Sequence, residues 1–119
     1  MKDNAITWFE IPAVNFERAV TFYETVLGEP LRRGEFDGLP HGFFGGEGVA
    51  GAVVQGRMKP GAVGTLVYLN AGGSIEAIVA RIEAAGGAII LPVIGIGPQG
   101  QMAILRDTEG NHVGLHQPA

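Results

Sequence analysis

The sequence predicts an α+β fold built from two βαβββ modules, and three observations carry that reading. The first is an internal repeat. Residues 16–28 (Phe-Glu-Arg-Ala-Val-Thr-Phe-Tyr-Glu-Thr-Val-Leu-Gly) align without gaps to residues 75–87 (Ile-Glu-Ala-Ile-Val-Ala-Arg-Ile-Glu-Ala-Ala-Gly-Gly). The second is glycine: 20 of 119 residues, more than twice its usual share of about 7%, placed between short apolar runs as in turn-rich β structure. The third is order. Each repeat is preceded by one strand-like run and followed by three extended stretches separated by glycine. A ferredoxin-like sandwich would read βαββαβ, so the extra strand in each half argues against it.

The first strand is expected at Ile6–Ile11. The helix over 16–28 follows, with apolar residues at 16, 19, 20, 23, 26 and 27 on one face. Asn15 stands where a cap belongs, Glu17 sits in the first turn, where the dipole favours a carboxylate, and Gly28 supplies a left-handed stop. Three extended stretches fall at about 31–36, 41–45 and 49–55, and a junction containing Lys59-Pro60-Gly61 lies near Met58–Gly64. The second half repeats the order: a strand at Thr65–Asn70, a helix capped by Ser74 with Glu76 in its first turn and Gly86-Gly87 at its end, then stretches at 88–94, 101–106 and 112–116. A chain of this length sets one domain over 1–119 as the expectation. Module one covers 5–56, a linker 57–63 and module two 64–117.

Alternation gives each strand two faces. Phe9 and Ile11, Val67 and Leu69, and Val113 and Leu115 are apolar and belong under the helices. The opposite face carries Trp8 and Glu10, then Leu66, Tyr68 and Asn70, then His112, Gly114 and His116. Two aromatics, a carboxylate, an amide and two histidines do not make a sealed core. They line a cavity.

Trp8-Phe9-Glu10-Ile11-Pro12, Glu17-Arg18-Ala19-x-x-Phe22-Tyr23 and Leu27-Gly28 resemble the opening of the vicinal oxygen chelate superfamily, which includes glyoxalase I, bleomycin-resistance proteins and extradiol dioxygenases. The strand Thr65–Asn70, the helix end Glu83-Ala84-Ala85-Gly86-Gly87 and the ending Asp107-Thr108-Glu109-Gly110-Asn111-x-Val113-Gly114-Leu115-His116 resemble it too. Within the superfamily the chain is most similar to small bacterial proteins related to lactoylglutathione lyase. The resemblance implies a glyoxalase-like cupped mixed sheet with helices on its outer face, a small-molecule site in the cup, and a homodimer.

It also implies where a metal would sit. Metal-dependent members place one ligand on the first strand of each module and one on the last. Those positions fall on Trp8 and Leu66, on Gly114, and near Ala52, with Val53 and Val54 as neighbouring choices. None of these side chains donates an oxygen or nitrogen to a cation, so no metal and no cofactor are expected. A displaced site would need Glu10, one histidine and a third group. His112 and His116 are four residues apart on one strand, roughly 13 Å, too far to share an ion.

Composition closes other routes. A formal net charge of −4 argues against nucleic acid or an anionic membrane surface as partner. No apolar run approaches the roughly 20 residues that span a bilayer, and Met1-Lys2-Asp3-Asn4 does not read as a signal peptide. The chain holds no cysteine, which suits a cytoplasmic location. Ser74, its only serine, sits at a helix start, and Lys2 and Lys59 lie in polar stretches, so serine-hydrolase and Schiff-base chemistry have no plausible nucleophile. His41, after Leu39-Pro40, reads as a solvated loop histidine. Gly46–Gly51 and Gly95–Gly100 match G-x-G-x-x-G, but strands rather than helices follow them, so neither reads as a dinucleotide site.

Two functions remain. In the first, Glu10 is a general base, His116 its partner acid, and Tyr68 or Asn70 steadies an oxyanion in lyase or isomerase chemistry on a small carbonyl compound. In the second, the cup sequesters a small molecule, with Trp8, Tyr68, Glu10 and His116 as its aromatic lining and polar anchors, and its acidic character would suit a cationic ligand. Under either reading Trp8, Leu66, Tyr68, Asn70, His112 and Gly114 are the expected binding residues. By strand-face logic the nearest charge partners of Glu10 are His112 and His116.

Overall fold

Apolar residues three and four apart bury one face of α1 (Phe16–Leu27), whose Ala19, Val20, Phe22, Tyr23 and Val26 are all shielded from solvent. The computed structural model describes residues 6–119. The expectations at Met1–Asn4, including Lys2, and at the first residue of module one lie outside it. Asn15 caps α1 as its position suggests, its Oδ1 accepting from the Arg18 amide at 3.0 Å. Gly28 closes the helix at φ +73°.

Strands β1 (Trp8–Ala13), β2 (Arg32–Phe36), β3 (Leu39–Phe43) and β4 (Ala50–Gln55) form one sheet in the order β1-β4-β3-β2. In the second module β5 (Tyr68–Asn70) and α2 (Ile75–Ile82) are followed by β6 (Ala88–Gly95), β7 (Gln101–Arg106) and β8 (His112–Gln117), in the order β5-β8-β7-β6. In each sheet the first strand runs parallel to the fourth and the other pairs are antiparallel. This is the expected βαβββ order twice over. The cup consists of two half-sheets: no strand ladder joins them among the described residues. What joins them is one apolar layer, running from Ile11, Val20 and Val53 through Ile78 and Ile82 to Leu105 and Leu115.

Several boundaries differ from the sequence reading, each for a local reason. β1 starts and ends two residues late because its parallel partner β4 begins at Ala50, opposite Trp8. β5 is short: of Thr65–Val67, the Val67 carbonyl accepts from the Gly114 amide at 2.8 Å, but no ladder forms there. β3 starts at Leu39, since Leu39 and Pro40 pair with β2 beyond the point where β4 contacts the strand. Pro40 thus lies where no second neighbour needs its missing N–H.

Ser74 makes no side-chain cap. The first amide of α2 is met from a distance instead, by Gln117 Oε1 at 3.0 Å from the Ile75 nitrogen. The equivalent residue of module one, Gln55, does the same for Phe16 at 2.7 Å. Each last strand therefore caps its own module's helix. α2 ends in a paired closure: the Gly87 amide donates to Ile82 and the Gly86 amide to Glu83, with Gly86 at φ +99°.

The β7–β8 turn locks module two onto α1. Glu109 accepts from the Val14 and Asn15 amides, both at 2.8 Å, and from Arg18 Nε at 2.7 Å. Desolvation opposes its charge, yet the donors from Arg18, Asn15, Val14 and Thr108 outweigh it and hold the pKa at about 2. The folded value lies below the usual 4.5, so the carboxylate stabilises the fold fully above that pH and progressively less as pH falls towards 2. Glu109→Gln should cost roughly 1–3 kcal/mol at pH 7, discounted for screening near the surface. In urea titrations the gap between variant and parent should shrink at pH 3; a constant gap would contradict this account.

Candidate functional site

The face of the first sheet turned away from the helices is set by register. Trp8 and Glu10 stand on β1, Ala50 and Ala52 on β4, His41 and Phe43 on β3, and Arg32 and Phe36 on β2. Trp8 is 43% exposed, and its ring lies 6.2 Å from that of Phe43. Arg32 covers Phe43 with its guanidinium carbon 4.4 Å from the ring centroid. Trp8, Phe43 and Arg32 thus form a continuous platform.

His41 corrects the sequence reading. It is 1% exposed, in a strand rather than a solvated loop. Its ring stacks on Phe43 (5.3 Å between centroids, 28° between planes) and meets Phe36 edge-on at 5.8 Å. A carbonyl only accepts, so the 2.9 Å contact to the Leu39 oxygen places the proton on Nδ1.

Glu10 is also differently partnered than expected. Arg57, just beyond β4, pairs with it at 2.9 Å and reaches Asp37 of the β2–β3 turn at 3.7 Å. The Trp8 indole N–H donates to its other oxygen at 3.3 Å. Neither His112 nor His116 takes that role, and sequence reasoning missed Arg57 altogether.

On the second sheet the Tyr68 ring packs against Gly114, where any Cβ would collide with it. Asn70 turns its Oδ1 to the Gly72 amide at 2.8 Å, a local Asx turn. His116 donates from Nε2 to the Gln99 carbonyl at 2.7 Å and so pins the 3₁₀ turn Gly97–Gln99. Five of the predicted residues fall in two spaces along the seam of the half-sheets. Leu66, Tyr68 and Asn70 line a mainly apolar cavity of about 530 Å³ together with Phe9, Leu31 and Phe44. Glu10 and His112 share a crevice of about 120 Å³ with Lys59. Trp8, Gly114 and His116 line neither of these.

The inherited metal positions do not fit a metal. Register sets Ala52 opposite Glu10 and Gly114 opposite Tyr68, and these, like Trp8 and Leu66, offer no donor atom to a cation. Among the described residues no three His, Asp or Glu side chains are grouped to hold an ion. No described helix is long and apolar enough to cross a membrane.

Residues 5–115 match the family model of the glyoxalase/bleomycin resistance protein/dioxygenase superfamily. The chain belongs to that superfamily. Among solved structures, a glyoxalase/bleomycin resistance protein from Albidiferax ferrireducens T118 superimposes with a TM-score of 0.81 at 16% identity, covering 98% of this chain and 100% of that one. TnmS3, an antibiotic binding protein from Streptomyces sp. CB03234, is 26% identical over 100% of this chain and 99% of its own, with a TM-score of 0.67. A glyoxalase-related enzyme from Fulvimarina pelagi gives 0.69 at 15% identity, over 94% of this chain and 86% of that one. No curated protein sequence matches the chain. Superfamily membership sets the fold and leaves the activity to the residues of the cup.

The buried His41 stack supports the platform from beside Phe43. His41→Ala should lower the unfolding free energy by about 2–4 kcal/mol, as for other large buried side chains. His41→Phe keeps the stack and should cost about 1 kcal/mol for the lost hydrogen bond. Denaturant midpoints of the two variants check the difference; equal losses would show that the ring stack contributes nothing.

Proposed function

We propose that the protein binds and sequesters a small molecule on its concave face without transforming it. The observation that carries this reading is the setting of Glu10. Its oxygens are engaged by Arg57 and by the Trp8 indole, so the carboxylate beside the exposed aromatic platform is not a free base. The antibiotic binding protein TnmS3, similar over the whole chain, supports a binding role. Lyase or isomerase chemistry by Glu10 and His116 would require Glu10 to leave its ion pair and His116 to leave the Gln99 carbonyl.

Trp8 is the chain's only tryptophan, so ligand contact with the platform reports directly in its emission. The ligand recovered by native mass spectrometry should change that emission and return chemically unaltered after incubation. Trp8→Ala should weaken its binding about tenfold or more, as for a central aromatic anchor. Recovery of a transformed product, abolished by Glu10→Gln, would establish the enzyme instead.

The same reading includes a homodimer. β1 and β5 each have one edge without a strand partner among the described residues, and Leu66 and Tyr68 are exposed beside that gap. Sedimentation at micromolar concentration should show a species of twice the 12.4 kDa chain mass. A 12.4 kDa species alone would refute the dimer.

A further inference from the structure

We infer that the cup selects ligands that join a flat aromatic body to an anionic group, and that Arg32 is the residue that anchors the anion. The inference rests on the concave face being the ligand surface. It reverses the expectation from net charge. The chain carries −4 overall, but several of its carboxylates are taken up by ion pairs. Glu17 and Glu24 lie on α1, where Arg33 meets both, and Glu109 is held by Arg18 at the start of the same helix. On the platform side, Glu10 and Asp37 are both taken by one cation, Arg57.

Arg32 is different. No carboxylate lies within ion-pair reach of it among the described residues. Its position is nonetheless defined, because its guanidinium carbon sits over the Phe43 ring, 4.4 Å from the centroid. Stacking occupies the π-face of a guanidinium and leaves the N–H groups around its rim free to donate in-plane. That rim matches two oxygens of a carboxylate, sulfonate or phosphate. Trp8 lies on the far side of Phe43 and offers its exposed ring to a flat body. A cationic ligand would meet Arg32 and Arg57 first and find Glu10 already neutralised.

The test uses the intact protein and three probes of one shape: 2-naphthoate, neutral 2-naphthamide and cationic 2-naphthylmethylamine, titrated by calorimetry at pH 7 and low salt. The naphthoate should bind about tenfold more tightly than the amide, and the amine weakest. In Arg32→Gln the acid's advantage should fall to within about threefold, and Arg32→Lys, which keeps charge without the planar fork, should restore only part of it. Added salt should erode the naphthoate's advantage and leave the amide unchanged. Trp8→Leu should weaken all three probes together, which tests the surface rather than the anchor. If Trp8→Leu acts as described but the order of probes ignores Arg32, the anchor is wrong and the binding surface stands. If the amide or amine binds as well as the acid, or the acid does not bind, the inference is overturned.

Discussion

Everything on the concave face depends on one buried junction, where the β7–β8 turn of module two grips α1 of module one. Asp107 is the centre of it. Its carboxylate accepts the Tyr23 hydroxyl at 2.7 Å, the Asn111 side-chain amide at 3.0 Å and two backbone amides of its own turn at 2.9 Å. Asn111 passes the linkage on, donating to the Pro12 carbonyl at the end of β1 and accepting from the Gly61 amide in the linker. Burial, reinforced by Asp107, pushes the Tyr23 phenol well above its ordinary value, so it stays a proton donor. Buried polar groups joined this completely fix geometry, because any slip would strand a charge without a partner. Two half-sheets with no ladder between them among the described residues need such a lock to keep a constant angle.

The large features were legible because they are periodic. Helical spacing marked α1 and α2, and alternation sorted Phe9, Ile11, Leu69 and Leu115 to the helix side correctly. What escaped was non-local. Arg57 reaches back across the sheet to a residue 47 positions earlier, and nothing near it in sequence announces that reach. Gln55 and Gln117 cap helices that precede them by whole strands, while Ser74, the obvious local candidate, stays idle. His41 was misread because Leu39-Pro40 and the surrounding glycines look like a loop. The alternation that would have placed it runs through Leu39, His41 and Phe43, where an imidazole stands in for an apolar side chain.

The repeat also shows how the two halves have diverged within one frame. Register makes Trp8 the counterpart of Leu66, Glu10 of Tyr68, Phe43 of Ile104, His41 of Met102 and Arg32 of Leu91. At every one of these pairs the first module carries the ring, charge or polar group that its partner lacks, except where Tyr68 answers Glu10. Elsewhere on the same faces the order reverses, with Asn70, His112 and His116 of module two answering Pro12, Ala50 and Val54, so equivalent backbone positions carry unlike chemistry in both directions. A symmetric ligand, or a metal held by equal contributions from both modules, has no matching set of contacts here. Because Asn111 of the Asp107 junction also lines the crevice that holds Glu10 and His112, the lock between the halves and the polar part of the seam are one structure.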